Sequence, residues 1–168
     1  MFARVGGSPS HSLIASNLIA NLSAALKDSP CQVHTSDLRV ALEATNAFVY
    51  PDVTVVCAEP KFYGNSDDVL TNPILVIEVL SPSTEGYDRG EKFAHYRRLV
   101  SLREYVLVSQ SAPQVDRYSP TTADDWLLRS ASGLDAKIEL ASVGVSIALS
   151  DIYSKIVFPP TTRQLELS

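Results

Sequence analysis

The run from Ile74 to Leu80, "ILVIEVL", constrains the fold more than any other stretch of this sequence. All but one of its residues are apolar, and both alternating faces carry them. That is the pattern of a strand covered on both sides, in the middle of a sheet flanked by other layers. Glu78 interrupts it. A lone ionised carboxylate in such a strand is costly unless it meets a cation, a proton or a metal.

The flanking segments supply the layers. "SPSHSLIASNLIANLSAALKDSP" predicts a first helix, with Ser8 or Ser10 as its cap. Leu13, Leu18, Leu22 and Leu26 keep roughly to one face, with Ile14 and Ala25, and Pro30 stops the helix. "CQVHTSDLRVAL" and "AFVYPDVTVVC" each read as one strand, and "AEPKFYGNSDDVLTNP" reads as a loop. After the central strand, "YDRGEKFAHYRRLVS" predicts a second long helix and "EYVLVS" a strand. Strand, helix and strand in that order suggest a crossover unit. Gln110 to Ser150 reads as a β meander completing the sheet, and a short helix around "LSDIYSKI" follows. The expected fold is one α/β or α+β domain over residues 1–168, with a mixed sheet between helices.

Composition narrows the function classes. Hydrophobic residues make up 45% and charged residues 20%, an ordinary globular mix. No apolar run is long enough to span a membrane, and no secretory signal is visible. Cys31 and Cys57 form no CxxC or Cys/His cluster. Cys57 reads as a small core residue, and the expected compartment is a reducing cytosol. The formal net charge of -5 argues against broad non-specific binding to nucleic acid. It leaves room for a local basic patch, because Arg89, Lys92, Arg97, Arg98 and Arg103 fall close together.

Alternation gives Glu78 a candidate neighbour. In "YPDVTVVC", Asp52, Thr54 and Val56 share one strand face; in the later strand, Val76, Glu78 and Leu80 do. If the two strands pair, two carboxylates converge, and they repel unless they share a cation or a proton. Hard oxygen ligands of this kind suit Mg²⁺ or Mn²⁺. Asp88, Lys92 and Tyr96, spaced four and four, stack on one helix face and offer a cation and a phenol. Structural alternatives stand beside each reading. Asp52 serves equally as a turn residue after Pro51, and Glu78 as half of a buried salt bridge with Lys92 or Arg39. Lys92 and Asp88 suit an exposed i,i+4 pair. His11 suits a helix cap, Tyr96 suits packing, and Arg39 can simply balance Asp37.

These segments together resemble the Uma-two family of restriction-endonuclease-like proteins in the PD-(D/E)XK nuclease superfamily. The matching stretches are "PSHSLIASNLIANL", "SDLRV", "YPDVTVVC", "PILVIEVLSPST", "YDRGEKFAHYRRL" and "EYVLVS". The resemblance implies a restriction-endonuclease-like core, αβββαβ in order, with extra strands at the C-terminal end. It implies a Mg²⁺- or Mn²⁺-dependent endonuclease acting on DNA, cytoplasmic and homodimeric. Asp52, Glu78 and the carbonyl of Val79 would hold the metal, and Asp52, Glu78 and Lys92 would be catalytic. His11, Arg39, Asp88 and Tyr96 are possible accessory residues. Two departures stand out. The superfamily lysine two residues after the acidic position is Leu80 here, and Lys92 on the following helix would replace it. Relatives usually carry a segment before the first long helix, whereas this helix opens almost at once. The alternative is a nuclease fold with a degenerate site, acting as a binding or structural module. A third reading is an enzyme for a smaller phosphorylated substrate.

Overall fold

A computed structural model describes residues 7–158. The chain opens with α1 (Pro9–Ala25), where Ser8 accepts a hydrogen bond from the His11 amide at 3.1 Å and Pro9 takes the first turn. Ile14, Leu18 and Leu22 form its buried stripe. Burying each of these side chains stabilises the fold by about 2 kcal/mol.

Eleven strands follow among the described residues. They are β1 (Gln32–His34), β2 (Arg39–Leu42), β3 (Ala47–Val49), β4 (Val53–Val56), β5 (Val69–Leu70) and β6 (Leu75–Val79), then β7 (Glu104–Val108), β8 (Gln114–Pro120), β9 (Trp126–Ser132), β10 (Lys137–Leu140) and β11 (Val145–Ala148). The main sheet has the order β1-β4-β6-β7-β8-β9. Only β6 and β7 run parallel; the other pairs are antiparallel. Every residue of β6 and of β7 is buried, which is why both read as continuous apolar runs.

The two faces of the sheet differ. Val53, Val55, Leu75, Ile77 and Val79 pack with α1 and with α4 (Leu149–Ile152). Val76, Leu80, Tyr105 and Leu107 pack on the other face around Tyr96. That second face is covered by α2 (Glu85–Arg89) and α3 (Glu91–Tyr96), which join β6 to β7.

Several expected elements break. "CQVHTSDLRVAL" is two strands in two sheets, because Thr35 to Leu38 turns the chain. The Leu38 amide bonds the Thr35 carbonyl, and the Asp37 amide bonds the Thr35 hydroxyl. "AFVYPDVTVVC" divides into β3 and β4 around Pro51, which has no N–H to give a ladder. The separate sheet has the order β3-β2-β5, and β5 lies inside the expected loop. The second long helix bends at Gly90, whose ψ of -92° leaves the helical region. The expected meander is only half present. β8 and β9 extend the main sheet, while β10 and β11 form a separate hairpin. Its Ile138, Leu140, Val145 and Ile147 join the core under α1.

Cys31 and Cys57 are joined by a disulfide, across the first residues beyond the β1–β4 pairing of Gln32 with Val56. This corrects the reading of Cys57 as a lone core residue and removes the cysteine argument for a reducing compartment. Among the described residues no helix is long and apolar enough to cross a membrane.

Candidate active site

The pairing of β4 with β6 is in register at Val53↔Ile77, and Asp52 lies one residue beyond that pair. The Asp52 side chain completes the ladder there. Its Oδ2 accepts the Val79 amide at 2.8 Å, in place of a main-chain carbonyl. His11, in the first turn of α1, sets its Nε2 3.3 Å from the same oxygen. Glu78 projects from β6 towards α3. Its Oε1 lies 2.7 Å from Lys92 Nζ and accepts the Tyr96 hydroxyl at 3.2 Å. Asp88, on the far side of the Gly90 bend, places Oδ1 3.6 Å from the same ammonium. Its carbonyl accepts the Tyr105 hydroxyl at 2.9 Å, which ties α2 to β7.

Three carboxylates therefore surround one lysine, and the balance is negative. Burial raises the Glu78 pKa to about 7; Asp52 and Asp88 push the same way, and Lys92 opposes them. Burial also raises Asp88, against the Lys92 charge. Burial works against the Lys92 ammonium, but Glu78, Asp88 and Asp52 outweigh it and its pKa rises. The hydrogen bond to Asp52 raises His11 despite burial. Burial and the Glu78 charge together keep Tyr96 a phenol.

His11, Asp52, Glu78, Val79, Asp88 and Lys92 line an open cleft of about 1250 Å³ between the start of α1 and the segment from Ser81 to Lys92, with Tyr96 buried behind them. A divalent cation can be tested against this donor set. No group of three or more His, Cys, Asp or Glu side chains suited to hold a metal occurs among the described residues. The set is two carboxylates and the Val79 carbonyl. Both contacts on Glu78 fall on Oε1 and both on Asp52 fall on Oδ2. The second oxygen of each carboxylate has no hydrogen bond among the described residues. This fits Mg²⁺, which usually keeps several waters and takes only one or two carboxylates from protein.

Arg39 is the expected accessory residue that lies elsewhere. It pairs with Asp68 at 2.8 Å on the three-stranded sheet, not with Asp37 or Glu78, and it does not line the cleft. Leu80 is buried with Tyr96 and Tyr105, so an apolar side chain fills its position on the Glu78 face. Thr84 is at the cap position of α2 without capping it. Its hydroxyl instead meets Ser81 Oγ at 2.7 Å.

Sequence reading missed other groups. Tyr87, half-exposed, and Gln110, which accepts the Ser8 hydroxyl at 2.6 Å, also line the cleft. Tyr87 stands directly before Asp88, which was its available signal. Two ion pairs were missed as well, one buried and one half-buried. Arg117 meets Glu104 at 3.1 Å, and Arg89 reaches from α2 to Asp116 on β8 at 2.7 Å. Their partners are far apart in sequence, and no local spacing announces them.

The fold is a mixed α+β one, a central mixed sheet with helices on both faces. The sequence places it further: residues 1–150 match the profile of the Uma2 family, described as "Putative restriction endonuclease". The chain belongs to this family. Two Synechocystis relatives, the uncharacterized proteins slr1290 and sll1609, are 38% and 37% identical to it. The first match covers 94% of this chain and 82% of the relative, and the second 81% and 77%. The crystal structure of a "putative nuclease belonging to DUF820" from Anabaena variabilis superposes with a TM-score of 0.73. It is 18% identical, and the match covers 90% of this chain and 84% of that one. At that identity the likeness concerns the fold.

Proposed function

We propose that this protein is a Mg²⁺- or Mn²⁺-dependent nuclease that hydrolyses phosphodiester bonds in DNA. Asp52, Glu78 and the Val79 carbonyl hold the metal in this reading. One observation carries it: two carboxylates, Asp52 and Glu78, stand side by side across the β4–β6 pairing, each with one oxygen unengaged, and Glu78 meets a lysine delivered by the following helix. When bound, the divalent ion supplies charge neutralisation at phosphorus and favours ionisation of the attacking water.

The chain's own residues do the rest. His11 and the Val79 amide fix Asp52 Oδ2, which turns Oδ1 free for a ligand. Tyr96 and Lys92 do the same for Glu78. Lys92 replaces the superfamily lysine, since Leu80 carries no charge. Its ammonium neutralises the negative charge that develops as water adds to phosphorus and the bond to the leaving oxygen breaks. Two copies would serve the two strands of a duplex.

A second reading has a specific observation behind it. Lys92 and Glu78 already form a short, buried pair, which satisfies both charges with no chemistry at all. Incubation of supercoiled plasmid with the protein in Mn²⁺, and in parallel with chelator, separates the two. Nicking in Mn²⁺ alone, lost in Asp52→Ala, is the expected result. An inert wild-type protein that is folded and binds DNA would leave the second reading in place.

A further inference from the structure

At the other end of α3 lies a second cavity, of about 550 Å³, with the opposite charge. Lys61, Arg98, Arg103 and the His95 ring line it, against a single carboxylate, Glu43. In a chain of net charge -5, three fixed cations to one anion is a local reversal. Lys61 and Arg98 are exposed, and neither forms an ion pair among the described residues. The framework around them is tied down. The Lys61 amide donates to Asn72 at 2.8 Å, and the Lys61 carbonyl accepts the Thr71 amide at 2.8 Å. Arg103 donates Nη1 to the Val100 carbonyl at 2.9 Å, which fixes one edge of its guanidinium.

We infer that this cavity takes a backbone phosphate of the DNA whose scissile bond lies in the cleft. The inference rests on the nuclease reading and adds where the substrate is gripped. Cations on a rigid frame, without carboxylate partners, suit an anion with several acceptor oxygens. The placement also suits one duplex. Lys92 and Arg98 are six residues apart along α3 and its last turn, so on the order of 10 Å separates the two sites at 1.5 Å per residue. Successive phosphates of one strand advance about 3.4 Å along the duplex axis, so one strand can reach both sites within a few nucleotides. A pocket of this kind gives an acidic protein a defined grip on DNA in place of a general basic surface.

The test is duplex binding in chelator, followed by fluorescence anisotropy across a salt series, so that no cleavage is needed. Lys61→Ala/Arg98→Ala should bind several-fold more weakly, and its dependence of log K on log salt should be shallower by about 1 to 2. Glu43→Gln should bind more tightly than wild type. Lys27→Ala/Lys137→Ala removes the same charge from exposed positions outside the cavity and should leave the slope unchanged. Equal slopes for the wild type and the cavity variant would overturn the inference, as would equal losses in both double variants. Saturable binding of inorganic phosphate with no binding of duplex would also overturn it and make the cavity a small-anion site. A wild type that binds duplex with this signature but never nicks it would refute the nuclease reading and leave the phosphate grip standing.

Discussion

Lys92 Nζ lies 2.7 Å from Glu78 Oε1, joining a short helix to the central strand in the interior of the protein. The pair is not balanced, because Asp52 and Asp88 add two more carboxylates around the one ammonium. Such a site holds excess negative charge unless a further cation is present.

Glu78 should therefore destabilise the metal-free protein when it is ionised. Its folded pKa, about 7, is above the ordinary value of 4.5. A raised carboxylate pKa leaves stability intact below about pH 4.5 and removes it as pH climbs through 7. Glu78→Gln, which mimics the protonated form, should gain on the order of 3 kcal/mol over wild type at pH 8 and nothing at pH 4. Denaturant unfolding in chelator at the two pH values measures this. A loss of several kcal/mol at pH 8 would instead mark the pair as structural.

The buried pair on the other side of β7 should behave oppositely. Glu104 takes Arg117 Nη1 at 3.1 Å and the Ser142 amide at 2.7 Å, so its two oxygens are both engaged. Arg117→Met should cost about 3 to 5 kcal/mol by leaving a buried carboxylate without its cation. Chemical denaturation checks the cost. A change under about 1 kcal/mol would contradict the structural role.

Divalent metal should stabilise the native state. With Mn²⁺ at about 100 times its dissociation constant the gain is about 2.7 kcal/mol. The gain should grow from pH 6 to pH 8, as the metal no longer competes with the Glu78 proton, and vanish in Asp52→Ala. Thermal unfolding with and without Mn²⁺ reads both. Equal stabilisation of wild type and Asp52→Ala would remove Asp52 from the metal site.

Tyr96→Phe removes only the hydroxyl that donates to Glu78 at 3.2 Å. The ring should stay packed against Tyr105. Above pH 8 the variant should lose about 1.5 kcal/mol, the worth of a hydrogen bond to a charged acceptor, and little at pH 5. An equal loss at both pH values would mean that packing, not the carboxylate, is what Tyr96 serves.

Much of this site was legible in the sequence because its parts are local patterns. Glu78 stands out within an apolar run, and strand alternation places Asp52 on its face. The four-residue spacing of Asp88, Lys92 and Tyr96 survives the bend at Gly90. What was not legible depends on where the chain turns. The Thr35 turn and Pro51 each carry the chain between sheets, and so Arg39 sits beside Asp68 instead of near Glu78. The Cys31–Cys57 bond and the Arg117–Glu104 pair need the register of strands that no spacing encodes. The β10–β11 hairpin alternates as a sheet strand would, and only packing against α1 sends it elsewhere.

The most direct test of the site is the rate at which Lys92→Ala nicks supercoiled plasmid in Mn²⁺, beside wild type. The alanine variant should stay folded in Mn²⁺, where the bound ion gives the buried Glu78 the cation that Lys92 no longer supplies, and its nicking should fall roughly 100-fold or more, the usual cost of losing one group that stabilises transition-state charge. Lys92→Ala that nicks as fast as wild type would contradict the assignment of Lys92 as the lysine of this site.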